Sequence, residues 1–209
     1  MLNENLSIAQ IKVRYPDLES GMHGPKVTTL TGPRIYKFAG SVRFAEPTPR
    51  GRPGGKRLGR LVPLAQQLRS PWWFDESAFH SLQRFLSLDP SNQGFIIRGQ
   101  AAIHYGWSVI DRLITARVLQ PFRVFQGPGR WQVERTAGGS SIVFQAPDDL
   151  LQTYVPNIGP LAGRTVPIDA QPGLEVVSDE AIPSGDEIDE TIQAITGKTV
   201  VIPGNTRMH

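Results

Sequence analysis

Short runs in which apolar and polar residues alternate fill the middle of the chain, and their period of two predicts strands rather than helices. Arg34-Ile35-Tyr36-Lys37-Phe38 reads as the first core strand, stopped by Ala39-Gly40-Ser41. Asp111 to Leu119 alternates Ile114, Ala116 and Val118 with Thr115 and Arg117, and Pro121 ends that run and opens Phe122-Arg123-Val124-Phe125. Further strands are predicted at Ile142–Gln145, Thr153–Val155, Thr165–Ile168 and Leu174–Val177, with a short apolar run at Phe95-Ile96-Ile97. Period 3.6 surfaces in two places. After Ser70-Pro71-Trp72-Trp73-Phe74-Asp75, residues Phe79, Leu82, Phe85 and Leu86 share a helix face, with Ser70 or Asp75 as N-cap. Ser184-Gly185-Asp186-Glu187 matches a capping box before Ile188, Ile192 and Ile195, with Gly197 as helix stop and a strand at Thr199–Ile202.

This pattern predicts a β-rich α+β domain of short antiparallel strands, a few helices and long Pro/Gly-rich loops. Residues 1–33 are expected to form a leader or packing segment, 34–178 the β-rich body, and 179–209 an acidic capped helix plus terminal strand packed on the same domain. With 209 residues, 39% of them hydrophobic, the chain is long enough to bury a real core. Its 21 glycines and 18 prolines place any site in loops over a β scaffold. The sequence has no cysteine, which excludes disulfides, thiolate metal sites and a cysteine nucleophile. His23, His80, His104 and His209 stand far apart without ligand spacing, so no zinc site is expected. No apolar run reaches the eighteen or so residues of a membrane helix, and no cleavable signal is evident. A soluble protein without membrane insertion is expected, cytoplasmic or exported without a classical signal.

The charge is divided. Residues 1–139 carry 19 Lys and Arg against 9 Asp and Glu, whereas residues 140–209 carry 3 against 10, so net +10 faces net −7. Either the halves attract each other or the basic half seeks an anionic ligand. Arg50, Arg52, Lys56, Arg57 and Arg60 lie in an aperiodic Pro/Gly-rich stretch, which reads as a flexible basic loop.

Candidate chemistry concentrates in Gly127-Pro128-Gly129-Arg130-Trp131-Gln132-Val133-Glu134-Arg135-Thr136-Ala137-Gly138-Gly139, where a short strand lies between glycine turns. Alternation puts Gln132 and Glu134 on one side, and the glycines let the backbone approach a ligand closely. Earlier come Arg34 or Lys37 on the first strand, and Ser70 beside Trp72 and Trp73. Each has a plainer use: the tryptophans as core, Ser70 as a cap, Arg34 and Lys37 on a solvated face, and Glu134 paired with Arg130 or Arg135.

A basic strand residue, a serine next to aromatics and a Gln-x-Glu strand, in this order, resemble the ADP-ribosyltransferase-like NAD-cleaving bacterial toxins. The resemblance spans about residues 34 to 155. It implies NAD as substrate, cleaved at the nicotinamide–ribose bond, with ADP-ribose passed to water or to an unknown protein or nucleic-acid acceptor, and a cognate immunity protein as partner. It also implies Glu134 as the carboxylate that stabilises the oxocarbenium-like transition state and Gln132 as the group orienting ribose or acceptor. Arg34 or Lys37 would hold phosphate or ribose, Ser70 would brace the site, and Trp72 and Trp73 would form a wall for nicotinamide. The chain departs from the family in having Tyr36-Lys37 where an aromatic is usually followed by arginine, and Pro71-Trp72 after the serine. An alternative registration uses Gln145 after Gly138-Gly139. The competing readings are a nucleic-acid-binding protein, using the basic loop with Trp72, Trp73 or Trp131 stacked on bases, and a structural or adaptor subunit of a phage or secretion apparatus.

Overall fold

Seven strands form one antiparallel sheet in the order β1-β7-β10-β5-β2-β6-β11. They are β1 (Lys26–Leu30), β2 (Arg34–Ala39), β5 (Trp72–Asp75), β6 (Arg112–Val118), β7 (Phe122–Pro128), β10 (Leu151–Tyr154) and β11 (Leu174–Ala181). Two ribbons stand apart, β3 (Val42–Arg43) with β4 (Arg60–Leu61), and β8 (Gln132–Arg135) with β9 (Ser141–Phe144). The helices are α1 (Ile11–Arg14), α2 (Pro16–Gly21), α3 (Glu76–Leu86) and α4 (Gln93–Ala101). The structure is a computed structural model and describes residues 3–40, 42–43, 60–61, 68, 70–103, 109–135, 139, 141–156 and 173–183. It is a β-rich α+β fold, as the alternating pattern predicted.

Both faces of the central strands are buried. On one face the segment from Leu6 to Met22, which includes α1 and α2, brings Leu6, Ile11, Leu18 and Met22 onto Phe125 and Tyr154, while α3 and α4 bring Phe79, Leu82, Leu86 and Ile97 onto Tyr36, Phe38 and Phe74. The Tyr36 and Phe79 rings lie parallel with centroids 3.8 Å apart. Ile35, Ala39, Trp73, Ile114, Ala116, Phe122 and Val124 form the core of the other face. Asp75 caps α3 by accepting a 2.8 Å bond from Ala78 N, so the segment from Trp72 enters that helix as a strand and Ser70 is not its cap. Phe85, expected on the inner face of α3, is exposed, because Ala78, Phe79, Leu82 and Leu86 already complete the stripe. The Phe95–Ile97 run is helical, forming the middle of α4.

Residues 1–33, expected as a leader, contribute more than packing. Lys26–Leu30 adds strand β1 to the sheet edge, in register with Phe122 to Gln126. Residues 21–23 lie against the end of β7, with His23 N donating to Pro128 O at 2.8 Å and Arg130 N to Gly21 O at 2.9 Å. The close approach allowed by the glycines before β8 is therefore made to the chain itself. A Cβ at Gly127 would stand 2.7 Å from His23 O, and one at Gly129 would stand 2.5 Å from Gln152 Nε2. The basic stretch 50–59, the Thr165–Ile168 strand and the helix and strand after Ser184 fall outside the described residues.

Candidate functional site

The sheet divides at β5. Trp72 and Trp73 pair with Tyr154 and Thr153 of β10, whereas Phe74 and Asp75 pair with Tyr36 and Ile35 of β2. One strand thus joins two half-sheets, and each end of it has an unpaired side. Val155 N donates to Pro71 O at 2.8 Å, so the carbonyls of Ser70 and Trp72, alternating with it, point the other way. Lys37 answers them. Its Nζ donates to Ser70 O and to Trp72 O, both at 2.9 Å, and lies 5.2 Å from the centroid of Trp73. At the far end Gln126 Nε2 donates to Asp75 Oδ2 at 2.7 Å and to Thr153 Oγ1 at 3.0 Å, linking the side chains of β7, β5 and β10. Carbonyls shielded from water without donors are costly, and here the Lys37 ammonium takes the place of the missing ladder partner.

Lys37 is only 3% exposed, and its burial pushes the ammonium down to about 7 from an ordinary value of 10.5. Sequence reasoning put it in contact with phosphate or on a solvated face. The structure corrects that: the residue is internal, its hydrogen bonds are spent on backbone, and it positions Ser70 and Trp72. Trp73 is fully buried in the core, with its Nε1 lacking a hydrogen-bond partner among the described residues, so it forms no wall of an open site. Trp72 is half-buried and meets Tyr154 edge-on at 5.1 Å, with the position of a Cβ on Gly21 only 2.6 Å from its ring. Tyr154 in turn donates to Asp17 at 3.0 Å, and burial, then that carboxylate, pushes its hydroxyl upward.

Ser70 is exposed, one residue from Pro71 at the entrance to β5. Arg34 is exposed at the other end of β2, opposite Arg117, whose guanidinium is held by Glu175. Arg34 and Lys37 are three residues apart along the strand, roughly 10 Å. Gln132 and Glu134 stand on β8 opposite Phe144 and Ile142. The amide of Gln132 donates to Ser20 O at 3.3 Å and to Arg130 O at 3.4 Å. The Glu134 side chain lies outside the described residues. Gln145, the alternative, follows β9 and is exposed. Gly139, between the strands of this ribbon, has φ of 84°, the left-handed region that favours glycine.

The structure therefore brings the Lys37 side chain to Trp73 and to the backbone of Ser70 and Trp72, while the Trp72 ring packs with Tyr154 on the opposite face of the sheet. It ties Gln132 to the same neighbourhood through Ser20 and Gly21, and leaves Arg34 separate. Among the described residues no group of three or more His, Asp or Glu is placed to hold a metal, and no helix is long and apolar enough to cross a membrane. The anchoring role of Lys37 was missed from sequence, although a lysine within a nearly unbroken apolar strand was its signal. No protein-family model, curated protein or solved structure matches the chain.

Proposed function

We propose that the chain is an ADP-ribosyltransferase-like enzyme that cleaves NAD at its nicotinamide–ribose bond and passes ADP-ribose to water or to an acceptor. The observation that carries this reading is the fixing of Ser70 and Trp72 by the buried Lys37, next to the residues that tether Gln132. Gln132 reaches Ser20 O, one residue from the Gly21 that abuts the Trp72 ring, and this contact supports the reading. In this reading Ser70 braces the site, Trp72 offers its half-buried ring, and the exposed Arg34 meets the pyrophosphate, since Lys37 is committed to backbone. The glycosidic C–N bond breaks with its electron pair going to the nicotinamide nitrogen, which becomes neutral, and positive charge builds on the ribose. A fixed Glu134 carboxylate lowers the energy of that charge. Water or an acceptor hydroxyl or amine then attacks C1′ and gives up a proton.

Expression in bacteria tests the reading in a cell. The wild-type chain is expected to lower cellular NAD and slow growth, whereas Glu134→Gln is expected to be tolerated at equal protein level. Harmless expression of the wild type with an unchanged NAD pool would overturn it.

A further inference from the structure

We propose that the outer face of the β8–β9 ribbon is a docking surface for a partner protein whose contact patch has an apolar centre and a rim of carboxylates. Val133 stands directly opposite Val143. Because strand side chains alternate, Trp131, Val133 and Arg135 share one side of the ribbon with Ser141, Val143 and Gln145. The other side faces the body, where Phe144 is buried against Ala102 and Ala146. The outer side is bare: Trp131 is 62% exposed, Val133 58% and Val143 56%. Isolated exposed apolar residues need no explanation, but a tryptophan and a cross-strand valine pair on one face form a contiguous patch.

The ribbon holds this patch in a fixed position. A two-stranded ribbon alone is marginal in water, and here it is anchored by Phe144, by the Gln132 amide on Ser20 O, and by Arg130 Nε on Met22 O at 3.0 Å. A rigid tryptophan with an arginine at the edge of an apolar patch has the composition of binding hot spots. Its charge selects the partner. None of the six outer-face residues is acidic, Arg135 is exposed on that face, and Arg130 is exposed at its base. A second copy of this chain fits poorly, since the same face on the other copy offers no carboxylate to meet Arg135 and Arg130. Single-stranded nucleic acid fits poorly as well. Of the tryptophans assigned to base stacking only Trp131 is open, with Trp72 half-buried and Trp73 inside, and the valine pair would have no apolar partner.

The test uses the full chain and fluorescein-labelled peptides followed by anisotropy: EELILLEE as probe, with KKLILLKK and EESGSGEE as counterparts, and oligo-dT of twelve nucleotides. Binding of EELILLEE at least tenfold tighter than either counterpart is expected, weakened at least tenfold by Trp131→Ala and several-fold by Arg135→Glu, while Arg135→Lys retains it. These side chains are exposed, so unchanged circular dichroism and melting temperature serve as the control on folding. Equal binding of the three peptides, or indifference to Trp131→Ala, would overturn the proposal. So would tighter, Trp131-dependent binding of oligo-dT, which would make the ribbon a nucleic-acid interface. Dimerisation in sedimentation that Trp131→Ala abolishes would assign the face to a second copy and overturn it too.

Discussion

Glu134→Gln is expected to leave the fold intact and to reduce NAD cleavage by about a hundred- to a thousand-fold, the usual loss when one preorganised group facing transition-state charge is removed. Glutamine is nearly isosteric with glutamate and keeps the place opposite Ile142 on the ribbon. The charge alone is lost. Gln132→Ala should behave differently, because its amide holds Ser20 O and Arg130 O. Its loss loosens the tether between β8 and α2 and affects binding before it affects the chemical step. The two are separated by kcat and KM: a fall in kcat is expected for Glu134→Gln, and a rise in KM for Gln132→Ala. Near-wild-type turnover by Glu134→Gln would remove the residue from the chemistry.

The second large effect is on stability. Unfolded, Lys37 keeps its proton to about pH 10.5, whereas folded it gives the proton up near 7. Between these values the unfolded chain binds more protons, so stability rises with pH and levels off below about 7, where both states are charged. One titrating group supplies at most about 1.4 kcal/mol per pH unit, or roughly 3 kcal/mol from pH 7 to 9.5. Tyr15 and Tyr154 have pKa values raised by burial and act above this window, where the unfolded tyrosines lose protons first and stability falls again. Urea melts at half-unit steps from pH 6 to 9.5 are expected to show the rise in the wild type and a flat profile in Lys37→Met. Lys37→Met also leaves the carbonyls of Ser70 and Trp72 without their donor, at a cost of about 1–3 kcal/mol each if they stay dry. A flat wild-type profile, or the same rise in the variant, would contradict the internal role of Lys37.

Much of the strand content was legible because these strands carry β-rich alternation bounded by glycine and proline. β2, β6, β7, β9, β10 and β11 stand within a few residues of their predicted places. β1 was not, since Lys26-Val27-Thr28-Thr29-Leu30 has only two apolar residues and gains its strand from pairing with β7, a tertiary effect. The sequence Trp72-Trp73-Phe74-Asp75 reads equally well as a helix start, and its pairing on both sides decided for a strand. Phe95-Ile96-Ile97 is too short for periodicity to arbitrate between strand and helix. The site was legible as residue types and not as roles. Alternation gave the strand that carries Gln132 and Glu134, but the inward turn of Lys37 follows from the parting of β2 and β5, which is a property of register. The glycines before β8 were read as letting the backbone approach a ligand, whereas they lie against the chain itself. Gly127 meets residues 22 and 23, about a hundred positions earlier, and Gly129 meets Gln152 and Ala146, and neither contact could be read locally.

Release of nicotinamide, followed by proton NMR with NAD in excess over the purified chain, tests NAD cleavage most directly. Nicotinamide accumulating far above the uncatalysed rate with wild type, and at a rate lower by about two to three orders of magnitude with Glu134→Gln, is the expected result. NAD that remains intact even at stoichiometric protein would contradict it.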